Sequence, residues 1–269
     1  MRDGTDLTGE VAARLTVAGC VAAEEEAAEL VSAASEPTDL EAMVRRREQG
    51  EPLAWIIGSL RFCGHEIRVD HGVYVPRLQT EELAIRAAGH LPPRGVARAA
   101  DLFTGSGAVA VHLTAARPRA QVVAVDADRR AVTCARRNGV RVVLADLDAL
   151  GAPFPDGAFD VLTAVAPYVP TGDLHLLPAD VQRHEPRRSL DGGDDGLQLV
   201  RGVVASAARL LRSGGWLLLE VGGEQDRSLA PTLTAAGFGP AEAWSDEDGD
   251  LRGIVAQLTA KREIRTTGR

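Results

Sequence analysis

A glycine-rich turn lies near the middle of the chain, with the sequence Asp101-Leu102-Phe103-Thr104-Gly105-Ser106-Gly107. An apolar, strand-like stretch precedes this turn, and a helix-like stretch follows it. Glycines let the backbone approach a ligand without interference from Cβ atoms, and the N-terminus of the next helix offers unpaired N–H groups. The arrangement predicts a binding site for a nucleotide-shaped cofactor.

The spacing of the glycines argues against a dinucleotide. A dinucleotide fingerprint places glycine at its first, third and sixth positions, which here are Phe103, Gly105 and Ala108. Only the second of these is glycine. What remains is an acid at a strand end followed by Thr-Gly-Ser-Gly, which resembles the first motif of class I methyltransferases. The resemblance implies that the cofactor is S-adenosylmethionine.

Two further strand ends carry acids. Asp126 closes the apolar run 122–125, where a carboxylate can accept hydrogen bonds from both ribose hydroxyls. Asp146 follows the apolar run 142–144, and in the enzymes that the chain resembles this position and the next flank the adenine ring. Three such features in order favour one cofactor site over three unrelated helix caps. The expected cofactor-binding residues are Asp101, Phe103, Thr104, Gly105, Ser106, Gly107, Asp126, Asp146, Leu147 and Val165.

The composition limits the classes of function. The chain has 269 residues and a formal net charge of -8, which disfavours binding to nucleic-acid phosphates and to membrane surfaces. We find neither a signal-peptide core nor a stretch long enough to span a membrane, so we expect a cytoplasmic protein. The cysteines Cys20, Cys63 and Cys134 are too far apart for a disulfide framework or a metal site, and we expect no metal.

The hydrophobic patterns divide the chain into four regions. Residues 1–50 have helical spacing and predict a small helical bundle, and residues 51–76 have strand character and predict a linking β-hairpin. Strands alternate with helices through residues 77–260, which form the methyltransferase domain that the resemblance implies. Residues 261–269 are polar, and we expect a flexible tail.

The alternating pattern predicts an α/β fold of the Rossmann-like kind, with a parallel sheet covered by helices on both faces. The expected strands are 98–103, 121–125, 141–144, 159–164 and 216–221, and the expected helices are 106–116, 128–137 and 196–212. Apolar segments at 241–244 and 254–258 predict a final antiparallel hairpin, so the sheet is mostly parallel with seven strands, as in class I methyltransferases. Thr38 with Glu41 predicts a capping box, and Thr80 either caps another helix or lies near the cofactor.

The residues after the fourth predicted strand are Val165-Ala166-Pro167-Tyr168. Ligands of open α/β sheets bind beyond the carboxyl ends of the strands, so this run should face the reactive end of the cofactor. Its position resembles the Asn-Pro-Pro-Tyr motif of the protein-(glutamine-N5) methyltransferases that modify peptide release factors. The resemblance extends over about residues 51–258 and includes Pro76-Arg77-Leu78-Gln79-Thr80-Glu81, His184-Glu185-Pro186 and Leu190-Asp191-Gly192-Gly193.

The resemblance implies methyl transfer to the side-chain amide nitrogen of a protein glutamine. An amide nitrogen is a poor nucleophile, so it must be oriented while its N–H groups are engaged. In the family motif the Asn side chain and the next backbone carbonyl accept those N–H groups, and the tyrosine packs against the substrate. The implied catalytic residues are Val165, Ala166, Pro167 and Tyr168, with Tyr168 and Glu185 also facing the substrate. A peptide release factor is the implied partner, docked in part by the N-terminal helices and the hairpin.

The chain differs from the family motif at Val165, which cannot accept a hydrogen bond where the motif has Asn. Two alternatives therefore stay open: a methyltransferase for a small amine, hydroxyl or carboxylate, and a regulator that binds the cofactor without turnover. Methylation of nucleic-acid bases is disfavoured by the acidic charge and by the same missing side chain. A further hypothesis is that Gln182 or Glu185 replaces the lost acceptor.

Overall fold

The architecture is that of a computed structural model, which describes residues 4–147 and 154–259. The tail expected at 261–269 lies outside the described residues. The helices are α1 (Gly4–Val17), α2 (Ala23–Ala33), α3 (Pro37–Glu48), α4 (Leu53–Ile57), α5 (Thr80–His90), α6 (Ala108–Ala116), α7 (Arg129–Arg137), α8 (Ala179–His184), α9 (Gln198–Leu210) and α10 (Gln225–Ala235). The strands are β1 (Ser59–Phe62), β2 (His65–Arg68), β3 (Arg98–Leu102), β4 (Gln121–Asp126), β5 (Val142–Leu144), β6 (Phe159–Ala164), β7 (Leu211–Glu220), β8 (Glu242–Ser245) and β9 (Leu251–Gln257).

Seven strands form one sheet in the order β5-β4-β3-β6-β7-β9-β8. The first five are parallel, and β9 runs antiparallel to both β7 and β8. The predicted fold class is confirmed. Strand β7 begins at Leu211, earlier than the sequence predicted, because Leu211 already pairs with Phe159 before an irregularity in the register.

The sheet is buried on both faces, as its apolar strands require. Successive side chains of a strand point to opposite faces. Leu162 of β6 therefore belongs to the core that includes α9, whereas its neighbour Val161 belongs to the core formed with α5 and α6. With helices on both sides, the open end of the sheet beyond the parallel strands is left for a ligand.

The N-terminal helices α1 to α4 pack around a core of their own that includes Leu15, Leu30 and Val44. Two local predictions are wrong here. Residues Leu53–Ile57 form α4 rather than an extended stretch. Helix α3 begins at Pro37 without a side-chain cap, so Thr38 and Glu41 form no capping box; proline suits the first helical position because it lacks the N–H that would otherwise need a partner.

The hairpin β1–β2 is tied to the glycine-rich turn by Asn138, the residue after α7. The Asn138 Oδ1 atom accepts a hydrogen bond from the Arg68 N–H over 2.9 Å, and Nδ2 donates to the carbonyls of Arg68 and Ser106 over 2.9 and 2.8 Å. The division of the chain into domains at residues 50 and 76 stays a prediction. Within residues 4–147 and 154–259, no helix has the length and apolar character needed to cross a membrane.

Candidate active site

The glycine-rich turn is fixed to the sheet by Asp101 at the end of β3. Its carboxylate is 1% exposed and accepts hydrogen bonds from the hydroxyls of Thr104 over 2.5 Å and Thr163 over 2.7 Å. Burial raises the pKa of Asp101 to about 6, and the two hydroxyls only partly oppose that rise. The hydrogen bonds of Asp101 therefore serve the fold, because they join the turn to β6.

The turn itself needs unusual backbone angles. Phe103, Gly105 and Gly107 all have positive φ, at 56°, 56° and 86°. A Cβ added at Gly107 would lie 3.0 Å from the Val140 side chain and 3.2 Å from the Ala135 Cβ, so a larger residue would strain the turn and push these neighbours outward by a few tenths of an ångström. Phe103 adopts this conformation at a cost of roughly 1–3 kcal/mol, which points to a site that imposes it.

The side chain of Asp126 lies beside the same turn. It accepts hydrogen bonds from the N–H of Gly105 over 2.9 Å and of Asp128 over 2.8 Å, and burial raises its pKa. The hydroxyl of Ser106 is buried and has no hydrogen-bond partner among the described residues. A buried hydroxyl without a partner costs free energy, so this atom fits a site that a polar ligand completes.

A cavity of about 290 Å³ opens above the turn. It is lined by Asp101, Phe103, Thr104, Gly105, Ser106 and Asp126, and on its far side by Val73, Tyr74, Val165, Pro167 and Ser189. A small recess beside it is lined by Phe103, Asp126, Asp146 and Leu147. A Cβ at Gly105 would meet no atom within 4 Å, so the turn leaves open space for a ligand. We call this space the cofactor cavity.

A second cavity, of about 580 Å³, adjoins the first. The two share walls made by Tyr74, Val165, Pro167 and Ser189. The outer walls of the second cavity come from the loop between α1 and α2, from Arg47 of α3, and from the segment 177–181. We call it the acceptor cavity, because it meets the cofactor cavity where the chain leaves β6.

Tyr168 in the acceptor cavity is held by a buried carboxylate. Its hydroxyl donates to Glu220 Oε1 over 3.0 Å, and the Thr80 hydroxyl donates to Oε2 over 2.6 Å. Burial raises the pKa of Glu220, which is 2% exposed, and it raises the pKa of Tyr168 as well, so the phenol keeps its proton. The reading of Thr80 as a helix cap is wrong, since α5 has no side-chain cap and the hydroxyl serves Glu220.

The run 190–196 shapes the backbone of the Tyr168 loop. The Gly192 N–H donates to the Val169 carbonyl over 2.8 Å, and the Val169 N–H donates to the Leu190 carbonyl over 3.1 Å. A Cβ at Gly196, where φ is 72°, would lie 2.2 Å from the backbone carbonyl oxygen of Tyr168. In the described part of the chain, no group donates a hydrogen bond to the carbonyl of Ala166, which also lines the acceptor cavity.

Glu185 and Gln182 lie outside the walls of both cavities. The Glu185 carboxylate is 1% exposed and accepts a hydrogen bond from Arg77, whose guanidinium lies 4.9 Å from the centre of the Tyr74 ring. Gln182 donates to the carbonyls of His175 and Leu177 over 3.0 and 2.6 Å. Glu185 thus supports the wall residue Arg77, and neither side chain reaches the place of the missing asparagine.

Tyr74, Ser189 and Glu220 are not among the residues that the sequence predicted for the site. Glu220 carries the same signal as Asp101, an acid that ends an apolar strand, and could have been found by it. No pattern marked the other two. The described residues contain no group of histidine, cysteine, aspartate or glutamate that could hold a metal ion, and the three cysteines are free.

Comparison with known proteins defines the class. Residues 99–184 match the family model described as a methyltransferase domain. The structure is similar to that of the ribosomal protein L11 methylase of Lactobacillus delbrueckii subsp. bulgaricus, with a TM-score of 0.50 and 16% identity over 72% of this chain and 86% of the other, which is a likeness of fold. With the turn after β3 and the seven-stranded sheet, these matches define an S-adenosylmethionine-dependent methyltransferase of class I.

Curated relatives define the family. A release factor glutamine methyltransferase of Geobacter sulfurreducens is 38% identical over 80% of this chain and 76% of its own length. Another, of Bradyrhizobium diazoefficiens, is 34% identical over 96% of this chain and 84% of its own length. The chain belongs to the family of release factor glutamine methyltransferases.

Proposed function

We propose that this protein methylates the side-chain amide nitrogen of a glutamine in a peptide release factor. The observation that carries the proposal is the shared wall at Val165 and Pro167, where the acceptor cavity meets the cofactor cavity. The acceptor cavity is also lined by the α1–α2 loop, so an acceptor carried on a protein loop would contact both halves of the chain. The names of the relatives supply the acceptor class.

The residues of the cofactor cavity suit S-adenosylmethionine. The free hydroxyl of Ser106 and the open space at Gly105 accommodate a polar ligand above the turn. We assign Asp126 to the ribose hydroxyls, and the recess with Asp146 and Leu147 to the adenine ring. The cofactor supplies an electrophilic methyl group, and the protein supplies position.

The acceptor nitrogen requires orientation more than a base. Its lone pair is delocalised into the carbonyl, so its N–H groups must be held by acceptors that aim it at the methyl group. The Ala166 carbonyl is unused within the described residues and can accept one N–H. The ring of Tyr168, fixed by Glu220, packs against the side chain that carries the amide. Val165 offers no second acceptor, so another group must accept the second N–H, because a buried N–H without an acceptor costs about 1–3 kcal/mol.

The test is methylation of a release factor that carries Gly-Gly-Gln, followed by mass spectrometry of that glutamine. Wild-type protein is compared with Val165→Asn and with Val165→Leu as the matched apolar control. We expect methylation by wild type at a rate within about threefold of that of Val165→Asn, and no gain from Val165→Leu. Lack of methylation by wild type would overturn the proposal. If only the Asn variant is active, the scaffold docks the family substrate but its own site has another role.

One observation favours a second candidate function. The wall at Val165 and Ala166 is apolar and partly or fully buried, which suits a small amine, hydroxyl or carboxylate whose nucleophile needs less orientation than an amide. Methyl gain by such a compound, with none on the release factor, would support this candidate. Binding of S-adenosylmethionine without transfer to any acceptor would instead indicate a regulator. A cytoplasmic location is part of the proposal for a release-factor substrate.

A further inference from the structure

Gln79 lies in the wall of the acceptor cavity, and its side chain does not cap the helix that follows it. It immediately precedes α5, where its side chain makes no cap hydrogen bond. The residue is exposed and lines the acceptor cavity together with Val165, Ala166 and Tyr168. A carboxamide thus lies on the same cavity wall as the position where the family motif has one.

The neighbours of Gln79 orient its amide. Burial raises the pKa of Glu220, and hydrogen bonds from Thr80, Tyr168 and Gln79 oppose that rise. In its ionised form the Glu220 carboxylate only accepts hydrogen bonds, so the group that Gln79 then turns toward it is its NH2. In the described part of the chain, no donor bonds to the Gln79 Oε1 atom, so this atom is available to a ligand in the acceptor cavity.

We propose that the side-chain oxygen of Gln79 accepts one N–H of the acceptor amide, in place of the asparagine that Val165 replaces. This inference rests on the proposed function. The Ala166 carbonyl takes the second N–H, so the two acceptors hold the nitrogen at the wall between the cavities. The Gln79 side-chain oxygen and the Ala166 carbonyl both accept hydrogen bonds. The site therefore selects an amide, which has N–H groups to donate, over a carboxylate, which has none.

Other candidates for the same role are already engaged. Gln182 donates to the carbonyls of His175 and Leu177 outside the cavity. Glu185 is buried against Arg77. Among the described residues that line the acceptor cavity, Gln79 is the one that carries a side-chain amide.

The test compares Gln79→Leu with wild type in release-factor methylation. The matched control is Gln121→Leu, at an exposed glutamine that begins β4 and lines neither cavity. We expect Gln79→Leu to lower kcat/KM by about tenfold to a hundredfold, and the control to stay within about twofold of wild type. Calorimetric affinity for S-adenosylmethionine should be the same in all three proteins, and the thermal unfolding midpoint of Gln79→Leu should fall slightly, because this variant loses the hydrogen bond to Glu220.

Rescue separates this role from a structural one. Adding Val165→Asn to Gln79→Leu supplies a new acceptor and should restore methylation to within about threefold of wild type. Equal rates for wild type and Gln79→Leu would overturn the role of Gln79 and leave the proposed function standing, and so would a double variant no better than Gln79→Leu. Absence of methylation by wild type would overturn the proposed function, and this inference with it.

Discussion

The hydroxyl of Tyr168 lies 3.0 Å from the carboxylate of Glu220, which joins the loop after β6 to the end of the neighbouring strand β7. Both residues are largely withdrawn from water, and burial raises the pKa of each. The sheet therefore fixes the aromatic ring that faces the acceptor cavity, through the hydrogen bond to Glu220 of β7.

Tyr168→Phe keeps the ring and removes this hydrogen bond. We expect the free energy of unfolding to fall by about 1 kcal/mol and methyl transfer to slow by about tenfold, because the ring loses its fixed position. Affinity for S-adenosylmethionine should be unchanged, since Tyr168 lines only the acceptor cavity. Calorimetry and initial rates check both parts, and an unchanged rate would contradict the positioning role.

Asp101→Asn should change how stability depends on pH. The pKa of Asp101 is about 6 in the folded protein and 3.8 as the ordinary value, so folding favours its protonated form. The stability that this preference for the protonated form contributes is fully present below about pH 4, and it is lost as pH rises through about 6. Wild type should lose up to about 3 kcal/mol relative to the variant across this window. Denaturant unfolding at several pH values measures the difference, and parallel curves for the two proteins would refute the prediction.

Arg77→Met should leave the carboxylate of Glu185 buried without its cation. The Glu185 side chain is 1% exposed, and its second oxygen has no partner among the described residues. Loss of one partner of a buried pair costs about 3–5 kcal/mol. The double variant Arg77→Met, Glu185→Leu should lose clearly less than the sum of the single variants. Urea unfolding measures all three, and strict additivity would argue against a direct coupling.

Gly196→Ala should disrupt the Tyr168 loop. Its φ is 72°, and the new Cβ would lie 2.2 Å from the carbonyl oxygen of Tyr168. We expect a loss of more than about 2 kcal/mol in unfolding free energy, together with loss of methyl transfer. Gly172→Ala is the matched control, because a Cβ there meets nothing within 4 Å, and it should cost less than about 1 kcal/mol. Similar losses in both variants would show that the close approach at Gly196 is not what matters.

The strands of the sheet were predictable because burial on both faces requires long apolar runs. The prediction of 159–164 matches β6, and the prediction of an acid after β3 and β4 placed Asp101 and Asp126 beside one turn. Helix boundaries were less predictable where two local signals competed. At α3, Pro37 fixes the start of the helix and removes the need for the capping box expected from Thr38.

The site was predictable only where it follows strand ends. Tyr74 comes from the segment after the hairpin, and it reaches the shared wall through packing between distant parts of the chain. Gln79 carries no signal in the sequence beyond its place in a block that resembles the family. The roles assigned to Val165, Tyr168 and Glu185 stay predictions, although the structure places the first two in the acceptor cavity and the third behind Arg77.

The three hydrogen bonds of Asn138 connect the hairpin to the glycine-rich turn through one side chain, and we expect the two segments to open together. Local opening of β2 breaks both bonds between Asn138 and Arg68, and so removes the contacts that orient the amide bonded to the carbonyl of Ser106. Amide hydrogens on both segments should therefore exchange with solvent at linked rates. The order of the glycine-rich turn then depends on the folding of the hairpin. Binding of a ligand at the turn should therefore slow local opening of the hairpin.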